Sequence, residues 1–295
     1  MKTWKADLAL VGNTIIWGST FVLVKDALAD VSPMLFLALR FALAAVVLAL
    51  LYGRKVQRAS LRDGAIAGAL LFLGYMFQTT GLLYTTPSKS AFYTSLSIPM
   101  VPLLGSLVYR SAPRWNEVAG IAVASIGMIL LTTEGSRVAW DRGSLLSFFC
   151  AVAFAGHIVA VGKFSDRANF ETLAVMQILT AAVLAGVSFR FIDTVKLRWT
   201  GPVVAAVLVT ALMATALAFT IQAWAQQHTT ATRTALIYTL EPVWACVTSW
   251  LLRGERLSGV AWVGGLLILA GVLLVELRRD AGQKHQSIRV VSPEV

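Results

Sequence analysis

Arg40 and Glu241 are the residues of this chain best placed to do chemistry, because each falls about eight residues inside an otherwise apolar stretch. A charge at such a depth in a bilayer costs several kcal/mol unless it faces water or a partner. Arg40 is therefore expected to point inward, onto a cavity, or else to snorkel or bond a helix-terminal carbonyl. Glu241 is expected either to pair with Arg40 or to carry a proton. His157 is the histidine at membrane depth, read either as a hydrogen-bonded core residue or as a proton carrier. Gln78, Gln177 and Gln222 offer amide groups, and Trp17, Tyr75, Tyr93 and Tyr238 offer aromatic walls. This inventory suits the holding of a small polar organic molecule. Bond-making chemistry needs converging groups, and the chain contains no His-Glu-x-x-His, no Gly-x-Ser-x-Gly and no Cys/His cluster. Cys150 and Cys246 stand apart and read as packing residues. No metal and no cofactor is expected.

Three prolines mark places where the backbone must give way. Pro99, Pro102 and Pro242 lack an N–H and free the carbonyls of Ser95, Ile98 and Tyr238, four residues back. Such breaks are either gating hinges beside a binding site or tolerated kinks. Lys89 and Arg233 introduce two of the spans, as interfacial anchors or as contacts for an anionic group.

The elements that must carry these residues are helices crossing a bilayer. Ten apolar stretches run Leu8 to Val24, Pro33 to Tyr52, Gly64 to Thr85, Ser90 to Tyr109, Trp115 to Thr132, Gly143 to Val161, Leu173 to Phe191, Pro202 to Trp224, Thr234 to Leu252 and Gly259 to Glu276. At about 1.5 Å per residue each is long enough for about 30 Å of hydrocarbon. With 57% hydrophobic and 14% charged residues, 295 residues carry more apolar surface than a soluble domain can bury. The connections are too short for a folded extramembrane module. A net charge of +10 would suit nucleic acid only if it were gathered on one face, and here Lys and Arg sit at span ends. Residues such as Lys2, Lys5, Arg54, Lys55, Arg58, Arg62, Arg110, Arg114 and Lys163 bias the N-terminal side towards the cytoplasm. Both termini are thus expected inside a plasma or inner membrane. Lys2 and Lys5 before an apolar run imitate a signal peptide, but Lys25 and Asp26 interrupt the approach to the would-be cleavage site, so a retained helix is expected.

Sliding the chain against itself by about 140 residues pairs its two halves. Trp17 falls on Phe154, Arg40 on Gln177 and Pro99 on Pro242, and Gly120 and Gly127 meet Gly264 and Gly271. An odd number of spans per half makes the second copy upside down relative to the first. The expected organisation is a first five-helix repeat over 1–134, a second over 135–279 and a disordered cytoplasmic tail over 280–295. The paired glycines, with Ala124, Gly64 and Gly68, are read as close-packing positions.

Trp17-Gly18-Ser19-Thr20-Phe21 with Lys25, Pro33 with Arg40, Tyr84-Thr85-Thr86-Pro87-Ser88 leading to Pro99, and Glu241-Pro242 with Gly254-Glu255-Arg256-Leu257-Ser258 occur in order along the chain. In these motifs the chain resembles the EamA-type branch of the drug/metabolite transporter superfamily. The resemblance implies an all-α integral membrane protein of ten helices in two inverted five-helix repeats around a central cavity. It also implies movement of small metabolites, amino acids or drugs, often outward. Plastid phosphate translocators, a related branch, carry a Lys-Arg pair where this chain has Arg233 alone, which weighs against phosphate. Small four-helix relatives couple to protons through a glutamate in the first helix, where this span has Asn13 and no acid. A coupling proton would then ride on Glu241, His157 or Asp7. The expected function is secondary transport, as exporter or exchanger, by a monomer or weak homodimer. An intramembrane enzyme acting on lipid-soluble substrates and a non-transporting scaffold are the alternatives.

Overall fold

The computed structural model describes residues 3–85, 90, 93–110, 112, 114–133, 141–192, 194–253 and 258–289; Lys89, Thr86-Pro87-Ser88 and Gly254-Glu255-Arg256-Leu257 lie outside them. The described residues form helices α1 (Trp4–Ala27), α2 (Pro33–Tyr52), α3 (Leu61–Tyr84), α4 (Ser97–Tyr109), α5 (Trp115–Thr133), α6 (Arg142–Phe164), α7 (Phe170–Ile192), α8 (Gly201–Ala225), α9 (Ala231–Tyr238), α10 (Glu241–Arg253) and α11 (Gly259–Arg289). Six helices are long and apolar enough to cross a membrane, and Tyr93–Tyr109, Trp115–Leu131 and Gly259–Leu274 are shorter apolar segments. Helices α9 and α10 together supply the ninth stretch, so ten crossings fit. No strand occurs among the described residues, only a bridge between Val31 and Leu197.

Local chemistry sets where helices begin. Pro33 and Pro202 open α2 and α8, where a missing N–H costs nothing. Asp141 accepts from the Ser144 N–H at 2.7 Å to cap α6, and Thr230 accepts from the Arg233 N–H at 3.2 Å to cap α9. Two interruptions obey the prolines. A helical turn at 93–95 breaks at Leu96, three residues before Pro99, and α9 ends at a Thr239-Leu240 turn, three residues before Pro242. Pro102 is tolerated inside α4. A third irregularity has no proline: Leu212–Leu217 is a π-helical segment inside α8. At the far end α11 continues to Arg289. Ala281, Gln283, Lys284 and Gln286 there are good helix formers.

Glycine sets the closest helix approaches, as the sequence expects. A Cβ on Gly127 of α5 would meet the Gly264 carbonyl of α11 at 2.5 Å, and one on Gly271 would meet the Gly120 carbonyl at 2.6 Å. A Cβ on Gly68 of α3 would lie 2.5 Å from the Gln177 carbonyl of α7, and one on Gly18 of α1 would lie 2.6 Å from that of Glu241. Two apolar cores result. One gathers Phe36, Leu37, Phe41, Leu71 and Phe219; the other gathers Leu10, Ile98, Met128, Leu236 and Ile268. Between them lies the cavity.

Candidate functional site

A cavity with about 810 Å³ of atom-free space lies between the two cores, and both halves of the chain build its wall. Helix α1 contributes Trp17, Thr20, Phe21 and Val24, and α3 contributes Tyr75, Gln78, Thr79 and Leu82. The fourth stretch adds Thr94, Ser95, Ser97 and Ile98, α6 adds Phe154, His157 and Ile158, and α8 adds Phe219 and Gln222. Arg40, Tyr238 and Glu241 complete it. Of the residues expected at the site, Trp17, Arg40, Tyr75, Gln78, His157, Gln222, Tyr238 and Glu241 therefore meet on one wall.

The remaining candidates stand elsewhere. Tyr93 is buried away from the wall, and Gln177 sits behind His157, with its Oε1 2.8 Å from the imidazole Nε2. Pro99, Pro102 and Pro242 also lie off the wall, in the segments that carry Ser97, Ile98 and Glu241 onto it. Lys89 lies outside the described residues. Arg233, expected as an interfacial anchor or as a contact for an anionic group, donates through Nε and Nη2 to the two carboxylate oxygens of Asp7 at 2.9 and 2.7 Å, both side chains being largely buried.

The Arg40 guanidinium is also held, though not by Glu241. Nε donates to Thr215 Oγ1 at 2.6 Å, and Nη2 donates to the Tyr75 hydroxyl at 2.9 Å and to the Ala214 carbonyl at 3.2 Å. The guanidinium carbon lies 4.2 Å from the Tyr75 ring centroid. The Ala214 carbonyl also accepts from Trp17 Nε1 at 2.8 Å, and the Ala218 carbonyl accepts from Asn13 Nδ2 at 2.8 Å. Ala214 lies within the π segment, where the regular i→i−4 ladder is interrupted, and Ala218 directly follows it. Sequence reasoning missed Thr215 and Ala214. Its one available signal was that Asn13, Trp17 and Arg40 all bring donors to membrane depth and needed acceptors on a facing helix.

Glu241 differs from Arg40. Its carboxylate lines the cavity yet takes part in no hydrogen bond or ion pair among the described residues. Trp17 packs edge-on against Tyr238, with centroids 4.9 Å apart, and tilts against Phe219 at 5.3 Å, so aromatic faces flank this part of the wall. Phe154 was legible in the sequence only as the duplicate of Trp17, and both prove to be wall residues.

The cavity runs through the middle of the bundle: its wall uses the later parts of α1 and α3 and the first half of α2, towards the end opposite the N-terminus, and the later parts of α6 and α8, towards the N-terminal end. At the N-terminal end the Asp7–Arg233 pair joins α1 to α9. There Arg167 also donates to Asp63 at 2.7 and 2.6 Å, and Lys55 approaches Glu171 at 3.3 Å. The hydrogen bond it donates to Asp63, and then the Asp63 charge, hold the exposed Arg167 guanidinium above its ordinary value. Behind these pairs, Gln222 Nε2 donates to Gln226 Oε1 at 3.0 Å, and Gln226 Nε2 donates to the Ile158 carbonyl at 2.9 Å.

With this architecture in hand, residues 4–133 and again 141–277 match the EamA-like transporter family. The chain belongs to the EamA-like transporter family. It is a membrane transporter and not an enzyme. A transporter from Archaeoglobus fulgidus described as uncharacterized is 34% identical over 278 residues, covering 94% of this chain and 88% of the relative. A probable terminal-alkyne amino-acid exporter from Streptantibioticus cattleyicolor is 26% identical, over 97% and 98% of the two chains. A solved crystal structure shares the fold with a TM-score of 0.78 at 21% identity, over 92% of this chain and 98% of its own.

Proposed function

We propose that this EamA-like transporter is a secondary transporter that exports or exchanges a small organic metabolite such as an amino acid. The observation that carries the reading is the single cavity walled by both halves of the chain, with Arg40 from one half and Glu241 from the other. Relatives named as exporters of amino-acid compounds support the direction and the substrate class.

Alternating access between two inverted repeats, 1–134 and 135–279, is the proposed mechanism. Two successive matches to one family support the duplication. So do exchangeable contacts: the Gly127 to Gly264 approach and the Gly271 to Gly120 approach become each other when the halves are swapped. Likewise α3 packs on α6 as α8 packs on α1, α2 and α7 pack on each other, and the breaks before Pro99 and Pro242 correspond. We take those breaks as the hinges that move Ile98 and Glu241 during gating. In this reading the termini are cytoplasmic, in the plasma (inner) membrane. The cavity then faces outward, and the Asp7–Arg233 and Asp63–Arg167 pairs close the cytoplasmic gate. Among the candidates for a coupling proton, Asp7 is paired and His157 is held by Gln177, which favours Glu241.

The test is reconstitution of the purified protein in liposomes, with counterflow of labelled amino acids as the readout. Flux no greater than in empty liposomes for every amino acid and close derivative tried would overturn the assignment.

A further inference from the structure

Beyond the general assignment, the charges on the cavity wall are unequally available. Among the described residues of the wall, Arg40 supplies the guanidinium and Glu241 the carboxyl group. Arg40 is only 4% exposed, its Nε and Nη2 serve Thr215, Tyr75 and Ala214, and its plane lies over the Tyr75 ring. A ligand carboxylate would have to compete with three bonds already made. Glu241 has the opposite condition, a carboxylate on the cavity surface with no donor facing it among the described residues. An ionised carboxylate left in that condition is costly, and it is relieved either by taking up a proton or by a cation brought in by the ligand.

Geometry around Glu241 suits such a cation. The close approach at Gly18 sets the Glu241 backbone directly against α1, next to Trp17. Trp17 and Tyr238 meet edge to face and line the same cavity as Glu241. A carboxylate bordered by aromatic rings is the combination that holds an ammonium group, through charge on one side and ring quadrupoles on the others.

We infer that this cavity selects its substrate by a protonated amine, which pairs with Glu241 beside Trp17 and Tyr238, and that Arg40 is a positioning residue rather than the anchor of a substrate carboxylate. The inference rests on the proposed transport role of the cavity and adds the feature of the substrate that is recognised. A carboxylate on the substrate is then tolerated but unnecessary. Primary amines and amino-acid amides should be taken at least as well as free amino acids, and deaminated acids should be excluded.

Four probes sharing one aromatic ring separate these possibilities: 2-phenylethylamine, L-phenylalanine, 3-phenylpropionate and 2-phenylethanol. Each is added to the detergent-purified, full-length protein, and affinity is read from the rise in unfolding temperature with ligand concentration. The amine and the amino acid should stabilise, the acid should not, and the amine should bind at least about tenfold more tightly than the alcohol. In Glu241→Gln the advantage of amine over alcohol should vanish, while Glu241→Asp should keep it. The wild-type comparison needs no variant to fold. Binding of 3-phenylpropionate as tight as that of the amine, or equal binding of amine and alcohol, would overturn the inference. Stabilisation by none of the four would also overturn it, whereas liposome flux of any other solute in the same preparation would leave the transport reading standing.

Discussion

Arg40 is at once the deepest cation of the described bundle and its most connected side chain, joining α2 to α3 and to the π segment of α8. Arg40→Ala would remove the donor to the Thr215 and Tyr75 hydroxyls, while the Ala214 carbonyl would keep Trp17 Nε1, at a cost of about 2–4 kcal/mol. The expected outcome is a lower unfolding temperature in detergent together with lost transport. Arg40→Lys keeps the charge without the planar fork, so it should recover part of the stability and less of the transport. Thr215→Val removes one acceptor and should cost about 1–2 kcal/mol. Unchanged stability in all three variants would show that this network does not hold the helices together. The depth of Arg40 in an apolar run made it legible as a residue that must face inward. Its partners were not legible, because the segment that supplies them, Leu212 to Leu217, contains neither Gly nor Pro. A π-helical shift of that kind depends on donors arriving from other helices, which no local pattern records.

At the scale of elements, the sequence marked the breaks and the close contacts well, since both depend on residues without a usual backbone or side chain. Pro99 and Pro242 do stand just after interruptions, and Gly127, Gly264 and Gly271 do sit where helices touch. Adjacent glycines of α11 give a controlled experiment. A Cβ at Gly264 would collide with the Gly127 carbonyl at 2.5 Å, whereas one at Gly265 would meet nothing within 4 Å. Gly264→Ala should therefore lower the unfolding temperature and the folded yield. Gly265→Ala should be neutral or slightly stabilising, by up to about 1 kcal/mol from helix propensity. Equal effects would mean that α5 and α11 do not pack as described. The Asp7–Arg233 pair was not legible as a pair, because its members lie 226 residues apart and each alone reads as an ordinary span-end charge. Asp7→Asn leaves a buried guanidinium without its carboxylate and should cost about 3 kcal/mol. The Asp7→Asn/Arg233→Gln double variant should regain part of that loss, measured as a coupling energy in thermal unfolding.

For the whole molecule, the same pair connects stability to the direction the cavity faces. If the N-terminal end is cytoplasmic, as we propose from the distribution of Lys and Arg, then the pair closes the inner gate while the cavity faces outward. Weakening one closed gate shifts a two-state equilibrium towards the state in which that gate is open, by as much as the lost interaction favoured closure. A single cysteine replacing Thr20 on the cavity wall, in a chain with Cys150 and Cys246 replaced, reports this in oriented vesicles through a membrane-impermeant thiol reagent. With Asp7 and Arg233 intact, labelling should come from the outer face. In the Asp7→Asn background, labelling from the cytoplasmic face should rise and labelling from the outer face should fall, because one cavity cannot be open to both sides. A rise on both faces would point to a loosened bundle rather than a rocking one. Labelling from the cytoplasmic face alone in the parent would reverse the orientation. Reporter fusions at Val295 and beside Arg137 separate that case independently, since opposite signals are expected for two points on opposite sides of the membrane. The charge asymmetry supports the proposed cytoplasmic N-terminal end, and identical fusion signals would overturn it.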